Sequence, residues 1–206
     1  MKVLLVNGSP RSRGCTYTAL REVADALEKN GIGTEFFQIG SEPVCGCLNC
    51  GKCRTAGSCV VGDKLYSGLR DGMMAADGVV IGSPVYFAGP NGALCALLDR
   101  VFYSSVGRFM HKPAACVVSC RRGGASAAFD RLNKYFTISQ MPVVSSQYWN
   151  AVHGFTPEDV QRDLEGLQIM RTLGNNMAWL IKNIKTGESP PQQEEKRMRT
   201  SFADGK

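Results

Sequence analysis

Met1-Lys2-Val3-Leu4-Leu5-Val6-Asn7-Gly8-Ser9-Pro10-Arg11-Ser12-Arg13-Gly14-Cys15-Thr16 joins a short apolar run to a polar, glycine-containing turn, and a helical pattern follows. Val3–Val6 is a continuous β-branched and leucine run, the signature of a strand covered on both faces. From Thr16 to Lys29, Leu20, Val23, Ala24 and Leu27 recur on one helical face, and Asn30-Gly31 closes the segment as a C-terminal cap would. Working outward, the same alternation repeats. Thr34–Ile39, Gly78–Gly82, Ala114–Ser119 and Pro142–Ser146 read as further strands. Helices are expected over about 64–76 behind Asp63, 91–103 and 124–136. A long one runs to about Lys185 from Thr156-Pro157-Glu158, an N-cap with proline at the first helical position. Strands alternating with helices specify an α/β fold, a parallel sheet with helices on both faces. Residues 1–185 read as one domain carrying a cysteine-rich loop at 45–59, and residues 186–206 as an extended arm expected to lie across a neighbouring subunit.

With 206 residues, 44% of them hydrophobic and 20% charged, the chain can bury a core without disulfides, and disorder, collagen and coiled coil are excluded. No apolar stretch approaches the roughly 20 residues of a membrane span, and the opening residues lack a signal peptide's apolar core and cleavage site. The expectation is a soluble cytoplasmic protein with no membrane partner. Twenty-four Lys and Arg against 18 Asp and Glu give a net charge of +6. That excess is spread along the chain in short runs, whereas a nucleic-acid binder concentrates it on one face. Anionic small molecules fit better as partners. Nine cysteines in a reducing compartment point to metal binding or redox chemistry rather than to a disulfide framework.

Ligands of open α/β sheets sit outside the carboxyl ends of the strands, so three loops matter. The first, Asn7 to Thr16, offers glycine, hydroxyls and free N–H groups at a helix N-terminus, where the dipole favours an anion, and Arg11 and Arg13 add cationic donors. It is neither a Walker A loop nor Gly-x-Gly-x-x-Gly. The second, Gly82 to Gly92, places Tyr86 and Phe87 among glycines and prolines, suited to a planar ligand or, alternatively, to packing in the core. The third, Ser119-Cys120-Arg121-Arg122-Gly123-Gly124, again joins glycine to positive charge. The first loop alone also reads as a polar turn that binds nothing, and any one of the three is weak evidence. Three at one sheet edge make a site.

Cys47-x2-Cys50-x2-Cys53-x5-Cys59 is the most specific pattern in the chain. Two-residue spacings aim successive thiolates at one centre. Structural zinc usually takes two such pairs a dozen or more residues apart, whereas three cysteines in consecutive spacings plus a fourth suit a cubane cluster. Cys45 stands beside the pattern as an extra ligand or a bystander, and a cysteine-rich loop at a subunit contact is the alternative. Cys95, Cys116 and Cys120 fall on expected helix or strand as small buried hydrophobes. His111 and His153 have no partners for a nucleophilic triad.

Asn7-Gly8-Ser9-Pro10-Arg11 with Thr16 behind it, and Gly82-Ser83-Pro84-Val85-Tyr86-Phe87 leading into Leu97-Leu98-Asp99-Arg100, resemble the flavodoxin-like NAD(P)H-dependent FMN reductase family over roughly residues 1–185. The resemblance implies a three-layer sandwich around a five-stranded parallel sheet of order 2-1-3-4-5. It implies that Ser9, Arg11, Ser12, Gly14, Cys15 and Thr16 hold the FMN phosphate, and that Pro84, Val85, Tyr86, Phe87, Ala88 and Gly89 run along the isoalloxazine ring. Ser119, Arg121, Gly123 and Gly124 would close over its far side. Cys15 departs from the family, where many relatives have Asn; its backbone N–H still serves. The cysteine pattern, with Tyr148-Trp149-Asn150 and Val152-His153-Gly154, resembles the iron–sulfur flavoprotein branch. That branch implies one [4Fe–4S] cluster on Cys47, Cys50, Cys53 and Cys59 and one FMN per subunit. Electrons would pass between a ferredoxin-type carrier, or NAD(P)H, and the flavin, in a homodimer or homotetramer that brings a cluster near a neighbour's FMN. No catalytic side chain is expected, because the cofactor carries the chemistry. The alternatives are an NAD(P)H-dependent flavin or quinone reductase without a cluster, and a non-enzymatic redox or zinc sensor on the same scaffold.

Overall fold

The computed structural model describes residues 1–191. Of the arm expected over 186–206, residues 192–206 lie outside the described residues. In chain order the elements are β1 (Lys2–Asn7), α1 (Cys15–Lys29), β2 (Gly33–Gln38), α2 (Cys53–Ala56), α3 (Lys64–Ala75), β3 (Gly78–Tyr86), β4 (Gly89–Pro90), α4 (Gly92–Ser104), β5 (Ala114–Cys120), α5 (Ala125–Ile138), β6 (Ala151–His153), α6 (Pro157–Arg162) and α7 (Leu164–Thr186). The sheet runs β2-β1-β3-β5-β6, all parallel, which is the order the resemblance implies. A sixth strand, β4, pairs antiparallel with the end of β3.

Both faces of the sheet are apolar, and β1 shows why its sequence is unbroken. Leu4 and Val6 point into a core under α3, α4 and α5, while Val3 and Leu5 point into a second core under α1 and α7. Each such fully buried side chain is worth about 1.5–3 kcal/mol relative to exposure, so a polar residue at either register would be costly. On the second face α1 and α7 approach closely at Gly174, where an added Cβ would lie 2.7 Å from both Ala26 Cβ and the Val23 carbonyl.

Two expected elements are corrected. The fifth parallel strand is Ala151–His153, not Pro142–Ser146, which contributes a single bridge from Val143 to Ala114. The chain peels off there because α7 takes its polar groups. The Ser146 hydroxyl donates to the Ile169 carbonyl (2.7 Å), and Asn176 Nδ2 donates to the Ser145 carbonyl (2.9 Å). The long C-terminal helix is likewise broken at Asp163. One carboxylate oxygen of Asp163 accepts the Gly166 N–H (3.0 Å) to start α7, and the other accepts the His153 N–H (2.7 Å) on β6. Among the described residues, no helix is long and apolar enough to cross a membrane.

Candidate functional site

Parallel register fixes what meets at the carboxyl edge. Asn7 stands opposite Gln38 and Gly82, and Pro84 opposite Ser119, so the ends of β2, β1, β3 and β5 form one rim. The first loop leaves this rim under tight control. Asn7 Nδ2 donates to Gln38 Oε1 (2.6 Å) and to the Arg11 carbonyl (3.2 Å), while Asn7 Oδ1 accepts the Ser9 N–H (3.2 Å). Gln38 Nε2 donates to the Ser9 carbonyl (2.6 Å), and Ser9 Oγ accepts the Arg11 N–H (3.1 Å). These bonds shape the loop while Arg11 and Ser12 stay exposed and Gly14 and Thr16 are buried. Burial pushes the Cys15 thiol above its ordinary range, so it is a neutral wall here and not a thiolate.

The second loop differs from the reading of the sequence. Pro84, Val85 and Tyr86 continue β3, and Phe87 and Ala88 form a two-residue hairpin into β4 with φ of 49° and 60°. Non-glycine residues at both positive-φ positions of such a turn are costly and cluster at functional sites. Phe87 is fully exposed and Tyr86 is half exposed, so neither packs in the core. Gly124 in the third loop, at φ +88°, seats the hairpin: a Cβ there would lie 2.7 Å from Ala88 Cα. Gly123 and Arg121 stand exposed beside it.

Thr16 and Ser119, both buried, join the first loop to the third through a hydroxyl pair at 2.8 Å. Thr16→Val strands the Ser119 hydroxyl and is expected to destabilise the flavin-free protein by about 1–3 kcal/mol, whereas Thr16→Val with Ser119→Ala recovers most of that loss in urea denaturation. The sequence reading did not single out Ser83 and Asn91. Ser83 Oγ accepts the Asn91 N–H (2.9 Å), and Asn91 Nδ2 donates to the Gly8 carbonyl (2.8 Å), tying the first loop to the second. Their signal was weak: single polar residues at a strand end and a helix cap.

Helix caps sharpen the picture. Asp63, Asn91 and Asp163 cap α3, α4 and α7 with side-chain acceptors. Among helices of eight or more described residues, α1 and α5 alone begin without one, at Gly14 and Gly124. No side chain caps their first N–H groups, which a helix start leaves without an intrahelical partner, and both helices start at this rim. Next to Gly124 lies a cavity of about 310 Å³ whose lining includes Arg122, Phe129, Tyr148, Trp149 and His153.

The cysteine loop sits against α4. Cys47, Cys50, Cys53 and Cys59 line one small cavity together with Arg100. Their thiols are not converged, and among the described residues no three His, Cys, Asp or Glu groups stand where one metal ion would bind. Cys53 opens the single-turn helix α2, and all nine cysteines are free. Cys116 is fully buried and Cys120 nearly so, and burial pushes both thiols up. Tyr66, buried on α3, accepts the Cys59 N–H on its hydroxyl (2.9 Å). Asp63 pairs with Arg100 at 2.7 Å. Burial raises the Asp63 carboxyl, but the Tyr66 N–H and the Arg100 guanidinium outweigh it and hold the group below its ordinary value. The pair therefore stays charged at neutral pH and is lost only in acid, as pH falls through that lowered value.

Residues 1–156 match the family model described as NADPH-dependent FMN reductase. The chain belongs to that family. Within it, the chain is 34% identical over 193 residues to an iron–sulfur flavoprotein of Methanocaldococcus jannaschii, covering 90% of this chain and 100% of that one. It falls in the iron–sulfur flavoprotein branch. An NADPH azoreductase of a Bacillus species is 27% identical, with 89% of this chain and 88% of that one covered. In fold the chain is similar to RosB solved with bound 8-demethyl-8-formylriboflavin-5'-phosphate: TM-score 0.70, 15% identity, 98% of this chain and 92% of that one. As a member of the NADPH-dependent FMN reductase family, the protein is an FMN-dependent oxidoreductase.

Proposed function

We propose that FMN lies across the rim formed by β1, β3 and β5, and that a [4Fe–4S] cluster on Cys47, Cys50, Cys53 and Cys59 is the one-electron port to it. The observation that carries the flavin site is the pair of uncapped helix starts, α1 and α5, joined by the Thr16–Ser119 bond at one sheet edge. A phosphate at the first N–H groups of α1 is favoured by the helix dipole, with Arg11 and the Ser9, Ser12 and Thr16 hydroxyls placed to share its charge. The strained hairpin at Phe87 and Ala88, fixed from beneath by Gly124, presents backbone and one aromatic face to a planar ring. Arg121 and Gly123 cover its other side. When bound, FMN links two-electron donors to one-electron carriers.

The donor set of the cysteine loop suits a sulfur-rich anionic cluster: four thiols around a cavity that also receives a buried guanidinium. Leu48 and Val60 stand exposed beside those thiols, an apolar surface for a small redox carrier such as a ferredoxin. The family supports a nicotinamide nucleotide as the other partner. The similarity to an NADPH azoreductase favours a second reading, in which NADPH reduces the flavin directly and no cluster takes part.

Rapid mixing without oxygen separates the two. Reduced ferredoxin is expected to bleach the flavin absorbance of the intact protein, and to do so at least tenfold more slowly in Cys53→Ser, while NADPH is unaffected by the substitution. Equal ferredoxin rates in the two proteins would transfer the proposal to the cluster-free reductase.

A further inference from the structure

Arg100 is among the largest fully buried side chains in the protein, on α4 directly beneath the cysteine loop, with a side-chain exposure of 0%. A buried cation is retained only where its donors are used. Nη1 donates to the Cys45 carbonyl (3.2 Å) and pairs with Asp63 (2.7 Å), Nη2 donates to the Val61 carbonyl, and the guanidinium lies 5.0 Å from the centre of the Tyr66 ring. Cys45 and Val61 bracket the four cysteines, so one side chain pins both ends of the ligand-bearing segment. Nε, also buried, has no partner. Arg100 lines the cavity shared by Cys47, Cys50, Cys53 and Cys59.

We propose that Arg100 is a positioning residue for the cluster loop and that its buried charge, with the unpartnered Nε–H left available as a donor to cluster sulfur, sets the reduction potential of that centre. The proposal rests on the cluster reading given above. Potentials of iron–sulfur centres respond to net charge and to hydrogen bonds at the sulfurs. A fixed cation favours the reduced, more negative state, so removing it makes the centre harder to reduce.

The test uses full-length protein loaded with iron and sulfide without oxygen, in the wild type, Arg100→Lys and Arg100→Gln. Iron is counted per chain, and the reduced signal is titrated by electron paramagnetic resonance. Arg100→Gln is expected to lower the reduction equilibrium at least tenfold, about 59 mV for one electron. Arg100→Lys, which keeps the charge and loses the fork, should fall between it and the wild type. A folded, fully loaded Arg100→Gln protein with the wild-type potential would overturn the proposal and leave Arg100 a structural staple. Should Arg100→Gln fail to load, guanidino-15N labelling of arginine decides. A hyperfine coupling in the reduced wild type that is absent in Arg100→Lys supports the proposal, and its absence from the wild type overturns it. A wild type that takes up no iron would instead overturn the cluster reading, and the iron count reports that separately.

Discussion

Gly124→Val is expected to leave the protein folded and to weaken FMN binding at least tenfold. The effect has two sources at one atom. Gly124 holds φ +88°, which costs an L-residue about 1–2 kcal/mol and a β-branched one more. The new Cβ would also lie 2.7 Å from Ala88 Cα, a backbone atom that cannot swing aside. The hairpin must lift, and with it the wall against which a planar ring would rest. A loss of about 1.4 kcal/mol in binding already corresponds to the tenfold change. Fluorescence titration of the flavin-free protein measures it, with Gly62→Ala, just past the cysteine loop and with nothing within 4 Å of its Cβ, as the comparison. Equal affinity in Gly124→Val and the wild type would remove the hairpin from the flavin site.

The second large effect concerns metal. Serine in place of Cys50 or Cys59 is expected to cut iron after anaerobic loading from about four atoms per chain to below about one, because a cubane held by three thiolates is labile. FMN content should stay at about one per chain, since neither residue lies at the flavin rim. Cys95→Ala is the control: burial pushes that thiol up, which leaves it a poor thiolate donor. Iron retained in Cys50→Ser and lost in Cys95→Ala would place the metal elsewhere.

Local signals in the sequence carried most of the fold. The apolar run at Val3–Val6, the Asp63 cap and the Thr156-Pro157 start, a full capping box with Asp159 in the structure, each depend on neighbours within a few residues. What escaped depends on distant ones. Pro142–Ser146 has strand composition but loses its pairing to α7, 23 residues or more away. The hairpin at Phe87 and Ala88 carries none of the glycine or asparagine that marks such turns, because the strain is held by Gly124 across the rim. Arg100 reads as a polar residue late in a helix, and only the return of the cysteine loop over α4 buries it. The three rim loops and the four cysteines were legible because backbone access and thiol spacing are written locally. The Asn7–Gln38 and Ser83–Asn91 ties that shape them join residues 31 and 8 positions apart.

The most direct test of the central claim is chromophore stoichiometry in protein purified without oxygen: a visible spectrum before and after acid release, with FMN and iron counted per chain. The two-centre account predicts flavin bands over a broad iron–sulfur shoulder, with about one FMN and about four irons released. A colourless protein that cannot be reconstituted with FMN, or a flavin spectrum with no iron after anaerobic loading, would contradict it.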